Sequence, residues 1–131
     1  MALQPMNLNQ VTLPAIDVGQ SVAFYKALGL RLIVDAIPRY ARFECVEGNA
    51  TISLDHVDTV PADSGVVVYF ECEDLDSRVE ALQSLGLDFD QPPRDEKWLW
   101  REARLRDPSN NTICLYWAGA NRRYPPWRVS A

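Results

Sequence analysis

One carboxylate stands at the end of an otherwise apolar run, V-V-V-Y-F-E-C, where Glu71 follows Phe70. Buried without a partner it would destabilise the chain by several kcal/mol. Glu71 must therefore face solvent, pair with an arginine such as Arg42, or meet a cationic ligand; the pair and the ligand role both stay open. The single histidine, His56, lies between Asp55 and Val57. It has the chemistry of a general base, or of one arm of a metal site with Asp55, Asp58 and a thiol. One imidazole does not complete such a site, so His56 reads as an edge residue near a linker. Cys45, Cys72 and Cys114 are odd in number and widely spaced, which points to buried free thiols rather than a disulfide framework. A nucleophilic Cys114 would need a nearby base and a depressed pKa. The chain has no G-x-S-x-G elbow and no Gly-rich phosphate loop, so no catalytic residue is assigned.

The elements that must position these groups fit one domain spanning residues 1–131. Hydrophobic residues make up 47% and charged residues 24% of the chain, values that suit a packed core and argue against disorder. The net charge of −5 hides a split: residues 1–91 carry a net −9 and residues 92–131 a net +4. Acidity over most of the chain weighs against general binding to nucleic acid, which rests on cations. No basic and apolar leader and no membrane-length apolar run occur, so a cytoplasmic protein is expected.

An internal repeat organises the chain. At a constant offset of 57, Asp17, Val22, Leu28, Gly29 and Leu30 fall on Asp74, Val79, Leu85, Gly86 and Leu87. Later, N-A-T-I-S-L (49–54) matches N-N-T-I-C-L (110–115) at an offset of 61. Asp17 and Asp74 are N-cap candidates. Apolar residues follow at helical spacing, Val18, Val22, Tyr25, Leu28 and Leu75, Val79, Leu82, Leu85. Gly29 and Gly86 supply the left-handed position that ends each helix. Strands are expected over Gln10–Ile16, Arg31–Ala36, Ala41–Val46 and Ala50–His56. In the second half they are expected over Val66–Cys72, Leu87–Phe89, Glu102–Arg106 and Asn111–Trp117. The fold class is therefore α+β, with two tandem βαβββ modules at residues 8–57 and 65–118 and an extension at 119–131.

This repeat, with V-T-L-P-A-I-D-V-G-Q-S-V-A-F-Y and R-L-R-D-P-S-N-N-T-I-C-L, resembles the vicinal oxygen chelate superfamily of glyoxalase I, extradiol dioxygenases, fosfomycin-resistance enzymes and bleomycin-resistance proteins. The motif R-E-x-x-L-R-D-P-x-x-N at Arg101–Asn111, with one extra asparagine, is most similar to the bleomycin-resistance branch. The resemblance implies curved sheets that form a cup, a homodimer with pockets near the subunit interface, and in metal-dependent members four ligands, one from the first and one from the last strand of each module. Carried over, those positions are Gln10, Ser53, Val67 and Cys114. Valine offers no donor, and one amide, one hydroxyl and one thiol do not make a first shell for a hard divalent cation. No metal and no cofactor are therefore expected.

What remains is a cup lined by polar and aromatic groups. Side chains two apart on a strand share a face. Thr12 thus joins Gln10; Thr51 and Asp55 join Ser53; Tyr69 and Glu71 join Val67; and Tyr116 joins Cys114. Tyr40 and Arg42 alternate away from Ala41, Phe43 and Cys45 toward the same side. Trp98 and Trp100 lie near the place where resistance-like members carry a stacking aromatic, a place held here by Leu99. The extension A-N-R-R-Y-P-P-W-R is stiffened by Pro125 and Pro126 and has three open placements: over its own cup, on a second subunit, or as a loose tail. Three functions follow. The first is metal-free binding of a small organic molecule, cationic or aromatic, in a sequestration or resistance role. The second is a lyase, isomerase or dioxygenase of the glyoxalase type with a displaced metal site at Gln10, Asp55, His56 and Glu71. The third is a structural or regulatory dimer with no ligand.

Overall fold

A computed structural model describes residues 3–62 and 64–130. It divides into two compact units, Met1–Ala62 and Asp63–Ala131, each built on the same plan. In the first, β1 (Gln10–Ala15) leads into α1 (Val18–Leu28), followed by β2 (Arg31–Ala36), β3 (Tyr40–Glu44) and β4 (Thr51–His56). The second repeats this with β5 (Val67–Glu71), α2 (Leu75–Ser84), β6 (Phe89–Asp95), β7 (Arg101–Arg106) and β8 (Thr112–Trp117), then a 3₁₀ turn at Gly119–Asn121. Each unit holds one four-stranded mixed sheet, in the orders β1-β4-β3-β2 and β5-β8-β7-β6. The first and last strands of each unit pair in parallel, and the other pairs are antiparallel. Among the described residues no helix is long and apolar enough to cross a membrane.

The helix signals act locally and identically. Asp17 Oδ1 accepts from Gln20 N–H at 3.0 Å, and Asp74 Oδ1 from Ser77 N–H at 3.4 Å, each satisfying a first-turn donor. At the other end Gly29 (φ 103°) and Gly86 (φ 94°) turn the chain left-handed. Leu30 N–H then reaches Tyr25 O, and Leu87 N–H reaches Leu82 O, both at 3.1 Å, closing the same C-terminal motif twice.

Each helix covers one face of its own sheet. Val18, Val22, Tyr25 and Leu28 are buried with Leu13, Ala41, Phe43, Ile52 and Leu54, and the Tyr25 and Phe43 rings lie 5.9 Å apart. In the second unit Leu75, Val79 and Leu82 are buried with Ala103, Leu105, Ile113 and Leu115. Alternation sends the intervening residues to the opposite, more polar face.

The strand bounds depart from expectation most at β6, which runs over Phe89–Asp95 and through Pro92 and Pro93 rather than over Leu87–Phe89. Proline lacks a ladder donor, yet β6 is an edge strand and its register breaks between Gln91 and Arg94, the setting in which a strand tolerates proline.

Candidate functional site

On the polar face of the first sheet the register sets Gln10 beside Thr51 and Thr12 beside Ser53, with Ser53 opposite Arg42 and Asp55 opposite Tyr40. Gln10 Oε1 accepts from Thr51 Oγ1 at 2.9 Å. Ser53 is buried, and its Oγ lies 2.6 Å from Tyr40 Oη. Arg42 Nε donates to the same phenolic oxygen at 3.0 Å, and its guanidinium sits 5.5 Å from the Tyr40 ring centroid. The Ser53 hydrogen bond, aided by Arg42 and opposed by burial, holds the Tyr40 pKa below its ordinary value. His56 and Asp55 are exposed at the end of β4, with His56 Nε2 3.4 Å from Asp58 Oδ1.

The second sheet presents different chemistry. Tyr69 stands beside Cys114, and Cys114 opposite Arg104; Glu71 stands beside Tyr116, and Tyr116 opposite Glu102. The rings of Trp100 and Tyr116 stack at 4.6 Å with planes 21° apart. Tyr69 meets both edge-on, at 6.0 and 5.6 Å, and is 45% exposed. Trp100 Nε1 donates to Asn121 O at 3.4 Å, so the extension helps to hold this shelf. Burial and the charge of Glu71 push the Tyr116 phenol above its ordinary pKa.

Glu71 is held by partners within its own unit. Its Oε2 accepts from the Ala118 and Gly119 amides at 3.0 and 2.9 Å, and Oε1 lies 4.0 Å from Arg122 Nε. Trp98 is not part of the aromatic stack; its Nε1 donates to Glu102 Oε2 at 2.6 Å. Leu99 between the two tryptophans has φ 70°, a conformation rare for branched residues, and this sends the indoles on separate paths. The extension folds on itself: Arg128 lies 4.3 Å from the Tyr124 ring centroid and donates to Arg123 O at 2.9 Å.

Sequence reading passed over Glu102, the second sheet's most buried carboxylate at 2% exposure. Besides Trp98 it faces Arg104 NH2 at 3.4 Å and Cys114 Sγ at 3.7 Å, both on Oε1. Its position two residues before Arg104, on the face shared with Cys114, was a usable signal. The motif L-R-D-P-S-N-N serves loop construction. Asp107, also buried, accepts from the amides of Ser109 and Asn111 at 2.9 Å and from Asn111 Nδ2 at 2.8 Å.

The four positions at which the resemblance places metal ligands do not fit a metal. Gln10 and Ser53 are engaged within their own sheet, and Val67 has no donor. Cys114 is fully buried, and burial with the Glu102 charge pushes its thiol up to about 12. Cys45 and Cys72 are half-buried and likewise raised by burial. Among the described residues no three His, Cys, Asp or Glu side chains gather as a metal-binding set.

Residues 7–115 match the Glyoxalase/Bleomycin resistance protein/Dioxygenase superfamily. The Bacillus subtilis (strain 168) protein YraH is 32% identical over 127 residues, covering 85% of this chain and 98% of its own. A glyoxalase/bleomycin resistance protein/dioxygenase from Nocardioides superposes with a TM-score of 0.77 at 22% identity, over 98% of this chain and 93% of the other. Lactoylglutathione lyase from Agrobacterium tumefaciens gives 0.71 at 18% identity, over 86% and 93%. TioX from Micromonospora sp. ML1 gives 0.68 at 22% identity, over 86% and 99%. At such identities the likeness to the solved structures is one of fold, which hosts many chemistries. By the superfamily match along most of its length, the chain belongs to the glyoxalase/bleomycin resistance protein/dioxygenase superfamily.

Proposed function

We propose that this protein binds a flat small organic molecule without a metal, on the polar face of the second module, in a sequestering or carrier role. The observation that carries this reading is the stacked pair of Trp100 and Tyr116 with the half-exposed Tyr69 edge-on to both. The exposed Tyr69 ring, backed by the partly buried Trp100 and the buried Tyr116, offers a rigid aromatic surface at small entropic loss, which suits recognition of another ring. The donor chemistry at Gln10, Ser53, Val67 and Cys114 supports the metal-free part of the reading. A homodimer belongs to the same proposal; Leu3, Met6 and Leu8 expose apolar side chains ahead of β1, and a partner surface would cover them.

The test is an NMR titration with the neutral probe 2-naphthamide, following the indole N–H signals. The Trp100 signal should shift and saturate, and Trp100→Leu should weaken binding by about tenfold or more. Equilibrium dialysis against Zn²⁺, Ni²⁺, Mn²⁺ and Fe²⁺ should leave no stoichiometric metal on the chain. Retention of about one ion per chain would overturn the metal-free reading and favour lyase or dioxygenase chemistry. No shift with any flat probe would leave the structural dimer as the better account.

A further inference from the structure

Beside the aromatic shelf lies a cavity of about 390 Å³ lined by Val67, Asp90, Gln91, Arg104, Arg106 and Thr112 among others. Val67 and Thr112 are register neighbours across β5 and β8, and Thr112 faces Arg106 on β7. Arg104 and Arg106, two apart on β7, project from one face. Their carboxylate partners are poorly placed. Arg106 Nε is 3.3 Å from Asp90 Oδ2, and Arg104 NH2 is 3.4 Å from Glu102 Oε1. Well-made charge-assisted bonds are shorter, as Arg101 shows with contacts of 2.9 and 3.0 Å to Asp76 and 3.0 Å to Asp95. A guanidinium carries five donor N–H groups. Arg104 commits one of them, weakly, and Arg106 commits one to Asp90 and one to Asn110 Oδ1.

Of the carboxylates on this face Glu71 and Glu102 are engaged, by contrast, while Asp90 is exposed and meets Arg106 at 3.3 Å. Glu71 Oε2 takes two backbone amides, and Glu102 Oε2 takes the Trp98 indole. The acidity of residues 1–91 suggests a cationic ligand, but the second module's polar face does not favour one. A cation at Glu71 or Glu102 would have to strip a carboxylate of its donors, and one at Asp90 would sit beside Arg106, whereas an anion meets two adjacent, under-used guanidinium groups. Tyr69, Cys114 and Arg104 stand abreast on β5, β8 and β7, so Tyr69 and Arg104 are separated by two strand spacings, about 10 Å. That is the span of a small aromatic acid.

We infer that the ligand of this site is an aromatic carboxylate, its acid group held by Arg104 and Arg106 and its ring laid against Tyr69. The inference rests on the small-molecule reading above and adds the sign of the ligand's charge. A planar guanidinium fork matches a carboxylate in two parallel hydrogen bonds.

The experiment compares three probes of one shape at pH 7: 2-naphthoate, 2-naphthamide and 2-naphthylmethylamine, titrated calorimetrically. The acid should bind about tenfold or more tightly than the amide, and the amine most weakly. Arg106→Gln, which leaves the contact between Arg104 and Glu102 in place, should cut the preference for acid over amide, and Arg104→Gln should abolish it. Amide binding should persist in both variants. Equal affinity for acid and amide, or a preference for the amine, overturns the charge inference while leaving the aromatic site standing. Failure of all three probes overturns both. The wild-type series decides the matter even if Arg104→Gln does not fold.

Discussion

The two modules repeat one backbone plan and fill their polar faces with opposite chemistry. Ser53 faces Arg42 across β4 and β3, and Cys114 faces Arg104 across β8 and β7. Two residues before each arginine stand Tyr40 and Glu102. In the first module hydroxyls and a guanidinium satisfy one another, from Arg42 through Tyr40 to Ser53, at 3.0 and 2.6 Å. In the second a buried carboxylate replaces the phenol and a raised thiol replaces the serine, with contacts to them of 3.4 and 3.7 Å. Equivalent positions in the two modules thus carry two different kinds of network. A network of hydroxyls closes on itself, whereas a buried charge recruits outside donors and leaves an arginine partly uncommitted. The recognition proposed above draws on the second arrangement because its pairing is incomplete.

The sharpest way to break this contrast is to remove the side chain two residues before each arginine. Glu102→Ala leaves the Trp98 indole N–H and Arg104 without their partner and should lower stability by about 3 kcal/mol in urea denaturation. Tyr40→Phe removes a hydroxyl pair with Ser53 and the donation from Arg42, leaves no carboxylate partner missing, and should lower it by about 1–2 kcal/mol. Equal losses would show that the two faces are energetically alike. Next come the loops that join the last two strands. Asp107→Ala should destabilise by about 2 kcal/mol, because three donors lose their acceptor. Glu47→Ala, in the first module's glycine-turned loop, should stay within about 0.5 kcal/mol.

A pH series sharpens the comparison further. Tyr40 titrates below the unfolded tyrosine value of about 10 and Tyr116 above it. A lowered folded pKa adds stability that is present above the unfolded pKa and lost as pH falls through the folded one. A raised pKa gives stability that is present below the unfolded pKa and lost as pH rises through the folded one. Between pH 8 and 10.5, Tyr40→Phe should therefore lose stability faster than wild type, and Tyr116→Phe more slowly. Absorbance at 295 nm should show one tyrosine ionising early, and that step should vanish in Tyr40→Phe. The smallest effect concerns the helices. Ser21 is fully buried in α1 and its Oγ has no hydrogen-bond partner among the described residues, whereas the exposed Arg78 holds that place in α2. Ser21→Ala should raise the unfolding midpoint slightly, by about 0.5–1 kcal/mol in free energy.

Features written locally were legible in the sequence. The caps at Asp17 and Asp74 and the left-handed glycines lie within five residues of the groups they satisfy, so spacing alone exposed both helices. The shared face of Ser53 with Tyr40 and of Cys114 with Tyr69 also followed from strand alternation once register was known. What escaped was set by contacts between distant segments. Glu71 finds its donors 47 and 48 residues away, on backbone amides that carry no sequence mark. Pro92 and Pro93 concealed β6, because the rule that excludes proline from sheets relaxes at an edge. Trp98 and Trp100 diverge through the backbone of Leu99, which residue type does not announce. Glu102 was readable from alternation, but a glutamate two residues from an arginine also describes an ordinary solvated strand face.

The ties to the extension grip its main chain: Glu71 takes the amides of Ala118 and Gly119, and Trp100 gives its indole proton to the carbonyl of Asn121. A clasp of this kind is blind to side-chain identity beyond the close quarters of Ala118 and Gly119. The segment from Arg123 onward, past the Arg122 contact with Glu71, can therefore be rewritten without unfastening the extension from the aromatic shelf. That makes the tail a practical point at which to graft new sequence while the scaffold beneath stays constant.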